Sequence, residues 1–247
     1  MRTEEFIAKL SEKLTDEEAL LRLRGGIPLG VDERENIVLS RTREYPYGVR
    51  HTCVTGAFRT PFIKRLILAL ACLYEKEEVN FLVLSPKTEY GELLRLNSLD
   101  ITVPFVQTKA DLESAKGCIA DLIKLHERER GCPKLFLVLD GLEEIDGCNQ
   151  NGDLEEYRAL FDTLARKDVE IISGVALMKS IFSGYPGAFV GVGNCLITTR
   201  EAGKADVTYV SDDSALSLPT AITVPDGPTV NETVLLLNSL PKKGAAV

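Results

Sequence analysis

The residues best placed to do chemistry stand at two strand ends. The first group is Thr55-Gly56-Ala57-Phe58-Arg59-Thr60-Pro61, which follows the apolar stretch His51–Thr55 and runs into a helical pattern. Strand, tight glycine turn, helix start is the setting in which a phosphate-binding loop sits. Such a loop reads G-x-x-x-x-G-K-[ST]. Its glycines let backbone N–H groups wrap the phosphates, its lysine reaches the outer phosphates, and its hydroxyl holds magnesium. Gly56 fits the first glycine, but no second glycine and no lysine follow at the required spacing. On these residues alone the stretch reads as an ordinary strand-to-helix turn, and Pro61 suits a helix start.

The second group closes the apolar run Leu135–Leu139 with Asp140. An aspartate at such a strand end ligates magnesium in phosphate-loop enzymes, and a neighbouring glutamate polarises the attacking water. Here Gly141 occupies the neighbouring position, and Glu143 and Glu144 lie past the strand end. An aspartate ending a strand is also a common turn-former or helix cap, so both readings stay open.

Composition narrows the setting. The chain has 247 residues, 45% hydrophobic and 27% charged, as in ordinary globular proteins. Its net charge of −8 disfavours direct DNA binding, which draws much of its affinity from neutralising phosphates. No apolar run reaches the roughly 20 residues needed to span a bilayer, and no signal peptide is evident. A cytoplasmic protein is expected, held near a membrane only through a partner. Six cysteines without CxxC spacing and two histidines, His51 and His126, give reduced thiols and no metal site as the expectation.

Elements must position these groups. Thr3 to Arg24 is expected to be helical, with a joint near Thr15, where Thr15 and Glu18 fit a capping box. Gly25-Gly26 ends it, and short strands follow at Ile27–Val31 and Asn36–Leu39. Strands are then expected at His51–Thr55, Val79–Leu84, Val103–Val106, Leu135–Leu139, Val169–Ser173 and Cys195–Thr199. Helices alternate with them at Thr60–Glu75, Thr88–Leu94, Ala110–Arg130 and Asp153–Arg166. Continuous runs such as Phe81–Leu84 suit strands covered on both faces, and the alternation predicts a mostly parallel α/β sheet. The less regular tail has strand-like pieces at Val207–Val210 and Val234–Leu237. A glycine-rich stretch, Gly184-Tyr185-Pro186-Gly187 and Gly191-Val192-Gly193, reads as a surface loop or, alternatively, as the lining of a small-ligand site.

The order of segments resembles FtsK/SpoIIIE-type ATPase domains. Ile27-Pro28-Leu29-Gly30-Val31-Asp32 resembles their P-x-G-x-D-like phrase before the nucleotide site, and Arg50-His51-Thr52-Cys53-Val54-Thr55-Gly56-Ala57 their approach to the phosphate loop. Ile67-Leu68-Ala69-Leu70 matches the helix that follows. Ser85-Pro86-Lys87 with Glu89-Tyr90 resembles the D-P-K…E phrase. Val103–Thr108, the helix ending His126-Glu127-Arg128-Glu129-Arg130, and Leu135–Asp140 follow in the family's order. The resemblance spans about Ile27 to Thr199. It implies a three-layer RecA-like P-loop NTPase fold, with a mostly parallel sheet flanked by helices over 27–247 and an N-terminal helical appendage at 1–26.

The resemblance also shows where the chain departs. The phosphate loop is about three residues short, with Arg59-Thr60 at the positions of the family's Lys-Ser/Thr. Asp140-Gly141 replaces Asp-Glu, Ser85 replaces the Asp of D-P-K, and Ser173-Gly174-Val175-Ala176 contains no sensor glutamine. The implied remnants are Gly56, Arg59 and Thr60 in the loop, Lys87 beside it, and Asp140 as the former magnesium-site acid. ATP with magnesium is the cofactor such a fold could take, and no metal is assigned to these residues. The expectation is a pseudo-ATPase serving as a structural or regulatory module, with FtsK-like subunits or a secretion or conjugation complex as partners. The alternative is an active ATP-dependent DNA translocase that completes its site with partner residues.

Overall fold

The continuous apolar runs form strands buried on both faces. A computed structural model describes residues 1–41, 51–96, 100–103, 106–128, 133–145, 169–175, 195–209, 217–226, 234 and 237–238. In β4 (Val79–Leu84), Phe81 and Val83 join one apolar cluster while Leu82 and Leu84 join another. β6 (Lys134–Asp140) divides the same way, Phe136 and Val138 against Leu135, Leu137 and Leu139. This is the two-residue period of a pleated strand, which sends neighbouring side chains to opposite faces. Helix α3 (Arg59–Leu73) fills the first cluster with Phe62, Ile63, Leu66, Ile67 and Leu70. Leu112, Ala115 and Ile119 of α4 (Lys109–Arg128) fill the second. The result is a sheet between helical layers, the three-layer α/β architecture expected from the sequence.

The remaining strands are β1 (Pro28–Val31), β2 (Ile37–Leu39), β3 (His51–Thr55), β5 (Asp100–Thr102), β7 (Glu170–Val175), β8 (Cys195–Glu201), β9 (Lys204–Tyr209) and β10 (Thr220–Thr223). Among the described residues they form one sheet in the order β2-β1-β10-β9-β8-β3-β7-β6-β4-β5. From β8 to β5 every pairing is parallel, and β3 lies between β7 and β8 with all its residues buried. From β8 outward to β2 every pairing is antiparallel.

Helices α1 (Thr3–Ser11) and α2 (Glu17–Arg24) share the first cluster, where Phe6, Ile7, Leu10 and Leu23 are buried. The break between them is capped by Asp16, whose carboxylate accepts the Ala19 N–H at 3.1 Å, so the cap falls one residue after the expected Thr15. The chain start is tied to a distant segment. Thr3 N–H donates to the Asp226 carbonyl at 3.1 Å, Asp226 N–H donates to the Met1 carbonyl at 2.8 Å, and Arg65 pairs with the Asp226 carboxylate at 3.1 Å.

Three local expectations differ from the structure. Of the strand expected at Val103–Val106, Val103 and Val106 are not in a strand and 104–105 lie outside the described residues. A short edge strand precedes them at Asp100–Thr102, whose exposed Asp100 and Thr102 discourage further pairing. Val234 and Leu237, expected in a strand-like piece, are each helical and buried, and 235–236 between them lie outside the described residues. Thr88–Arg95 is helical as expected, but of the tighter 3₁₀ kind. The expected helix Asp153–Arg166 and the glycine-rich stretch Gly184–Gly193 lie outside the described residues. No helix among the described residues is long and apolar enough to cross a membrane.

Candidate functional site

The parallel strands β3, β6 and β7 end together, and in open α/β sheets the crevice beyond these carboxyl ends is where ligands bind. β3 leaves the sheet through Gly56 at φ 103°. A Cβ there would stand 2.2 Å from the Thr199 carbonyl oxygen, so both the left-handed conformation and the close approach require glycine. Thr199 Oγ1 donates to the Thr55 carbonyl at 2.8 Å and fixes β8 against this turn. Only Gly56, Ala57 and Phe58 separate the end of β3 from the start of α3. In that short turn the Arg59 N–H donates to the Gly56 carbonyl at 3.3 Å, and Pro61 has no N–H to offer. The start of α3 therefore has fewer amides for an anion than an open loop would give.

The side chains at this helix start turn inward, onto Asp140. Its carboxylate is fully buried and accepts from Arg59 Nε at 3.0 Å, Thr60 Oγ1 at 2.5 Å and Tyr90 OH at 2.9 Å. Lys87 Nζ donates to Thr60 Oγ1 at 2.9 Å and lies 3.8 Å from the carboxylate. Glu144 completes the cluster, pairing with the Arg59 guanidinium and with Lys87 Nζ at 3.3 Å. Burial pushes the Tyr90 phenol well above its usual pKa, and the Asp140 charge raises it further. The ring thus stays protonated and remains a donor.

Backbone features hold the carboxylate in place. Ser85 Oγ donates to the Asp140 carbonyl at 2.7 Å and accepts the Lys87 N–H at 3.1 Å, which orients Lys87 toward the cluster. Gly174 on β7 lies against the carboxylate; a Cβ there would meet Asp140 Oδ1 at 2.2 Å and Ile63 Cδ1 at 2.7 Å. The four charged or hydroxyl residues singled out in the sequence, Arg59, Thr60, Lys87 and Asp140, are thus brought together, with Gly56 forming the turn beside them.

Other protein structures share this arrangement of strands and helices. No protein-family model matches the chain, and no curated protein sequence matches it. A solved ATPase superposes with a TM-score of 0.65 at 13% identity, over 93% of this chain and 96% of that one. The cytoplasmic domain of the type VII secretion ATPase EccC from Thermomonospora curvata superposes at 0.61 with 14% identity, over 87% of this chain. The fold is one shared with these ATPase structures. EssC (ATPases 2 and 3) from Geobacillus thermodenitrificans is a further match, at TM-score 0.56 and 16% identity over 82% of this chain. The chain spans 31% of the EccC chain and 41% of the EssC chain.

Within this ATPase fold, two members of the cluster escaped the sequence reading as site residues. Tyr90 lies three residues after Lys87, and the 3₁₀ period of three puts both on one side of that turn. Glu144 returns to the site through the turn after Asp140, where the Gly141 N–H donates to the Gly174 carbonyl at 3.1 Å. A spacing of four residues between two acids across a glycine was the available signal. Asp140 and Glu144 are the cluster's described carboxylates, and no group of three metal-ligating side chains occurs among the described residues.

Proposed function

We propose that this chain is a catalytically degenerate FtsK/SpoIIIE-like ATPase domain. It acts as a structural or regulatory module of a DNA-translocation, conjugation or type VII-like secretion motor, with ATPase subunits of that motor as its partners. The observation that carries the reading is the inward turn of Arg59 at a helix start separated from β3 by only three residues. Phosphoryl transfer depends on positioned donors around the phosphates and an activated water. Here the helix-start cation is bound to the carboxylates Asp140 and Glu144, and the connecting turn is too short to encircle a phosphate chain. The residues therefore do not fit ATP with magnesium. Calorimetric titration of magnesium-ATP into the protein is expected to give no heat up to millimolar nucleotide. Binding in the micromolar range would refute the reading.

A second reading, an active ATP-dependent DNA translocase completed by a partner's residues, draws on the Thr60–Asp140 contact at 2.5 Å. That hydroxyl–carboxylate pair is the one a magnesium site would use. ATP turnover abolished by Asp140→Ala would favour it, as would DNA binding with a steep salt dependence.

A further inference from the structure

We infer that Arg59 and Lys87 together act as a built-in pair of cations that takes the place of a divalent metal ion between Asp140, Glu144 and Thr60. The inference rests on reading this site as a degenerate nucleotide pocket and says what has replaced the metal in it. The oxygens that a hard cation prefers are all present: the buried Asp140 carboxylate, the Thr60 hydroxyl and the Glu144 carboxylate. Each already faces one of the chain's own cations. Arg59 Nε is 3.0 Å from Asp140 Oδ1, and the same guanidinium pairs with Glu144. Lys87 Nζ is 2.9 Å from Thr60 Oγ1, 3.3 Å from Glu144 Oε1 and 3.8 Å from Asp140 Oδ2.

The charges in this cluster close on themselves. Asp140 and Glu144 supply two negative charges, and Arg59 and Lys87 supply two positive ones. A divalent ion entering the cluster would have to push both cations aside. The Arg59 side chain is only 9% exposed and Lys87 19%, so neither moves readily into water. A cation carried on the chain is also present at every metal concentration, so the carboxylates are neutralised whether or not nucleotide and metal are available. Magnesium demands near-ideal octahedral geometry with oxygens at about 2.0–2.1 Å, and two bulky tethered cations among those oxygens deny it.

Manganese, a paramagnetic stand-in for magnesium, tests this on the whole chain without nucleotide. Added to the unchanged protein, Mn2+ is expected to keep the sharp resonance signal of the aqueous ion. The double variant Arg59→Gln/Lys87→Gln leaves the carboxylates unbalanced. It is expected to bind Mn2+ more than about tenfold tighter than the unchanged chain, because a unit charge a few ångströms away shifts affinity by at least that factor in a partly buried site. Its melting temperature should rise on adding Mn2+, and Asp140→Asn on top of it should abolish both effects. Two results would overturn the inference: Mn2+ binding by the unchanged protein that Asp140→Asn removes, or a folded double variant that leaves Mn2+ free. Should the double variant not fold, Lys87→Gln alone decides by the same signal, with weaker binding expected and a free ion overturning the inference. Because no ATP is present, these outcomes are independent of the magnesium-ATP titration that tests the proposed function.

Discussion

The two ends of the parallel sheet are both closed by ion pairs, but in different ways. At the amino end, Glu170 at the start of β7 meets Arg41 and also Lys134 at 3.0 Å, cations that remain 23% and 32% exposed. There the Arg41 Nε is buried without a hydrogen-bond partner among the described residues. At the carboxyl end, Asp140 is fully buried and takes three direct donors, with a second carboxylate and a second cation around it. The end where open α/β sheets bind ligands is thus the more completely satisfied of the two. A partly solvated pair tolerates loss of a member, because water replaces it; a buried network does not.

The largest expected effect follows from that asymmetry. Asp140→Ala leaves the buried Arg59, Thr60 and Tyr90 donors facing a cavity, and is expected to lower unfolding stability by about 3–5 kcal/mol in urea titrations. A loss under about 1 kcal/mol would mean that water already reaches the cluster. Next, Gly174→Ala forces a methyl group against the Asp140 carboxylate and Ile63, and should cost about 1–3 kcal/mol by the same measurement. If Gly174→Ala and Asp140→Asn are combined, their effects should not add, since both act on one carboxylate.

An effect absent at neutral pH concerns the amino end of β3, where His51 Nε2 sits 2.7 Å from Ser173 Oγ. Burial lowers the pKa of this ring from 6.5 to about 3. In the unfolded chain the ring takes up a proton below pH 6.5 that the folded chain refuses until about pH 3. Stability from this residue is therefore complete above about pH 6.5 and falls through that window as the pH drops, by up to about 1.4 kcal/mol per pH unit. His51→Gln should flatten this part of the pH–stability curve; an unchanged slope would place the ring in contact with water. Smallest of all, Glu170→Gln is expected to cost about 1 kcal/mol, because the isosteric amide keeps an acceptor oxygen for Arg41 and the partly exposed Lys134. An effect equal to that of Asp140→Ala would erase the contrast between the two ends.

Much of the parallel half was legible because its strands are dense apolar runs. His51–Thr55 and Val79–Leu84 have the bounds read from the sequence, and α3 and α4 lie within two residues of theirs at each end. The antiparallel half was harder to read. β10 has a single buried residue, Ile222, in an otherwise exposed strand, so it shows no apolar pattern of its own. It exists because β9 and β1 flank it. In the site, Asp140 was found by its place at a strand end, and Arg59 and Thr60 by the loop positions that the family resemblance implied. Tyr90 was missed because a tyrosine in a short helical turn reads as packing, and only the fold brings its hydroxyl to Asp140.

The tie between the chain start and Asp226 bears on how the protein is made. Met1 and Thr3 exchange backbone hydrogen bonds with a residue more than two hundred positions later, and β1 pairs with β10 across nearly the same span. On a ribosome, which delivers the chain from its amino end, these contacts wait until about two hundred further residues have emerged. The hairpin of β1 and β2 must meanwhile stand with one edge unpaired, and such an edge recruits other chains. Synthesis thus leaves an early-formed piece that is completed only when β10 arrives, and a chain cut short before Thr220 would keep that edge open for good.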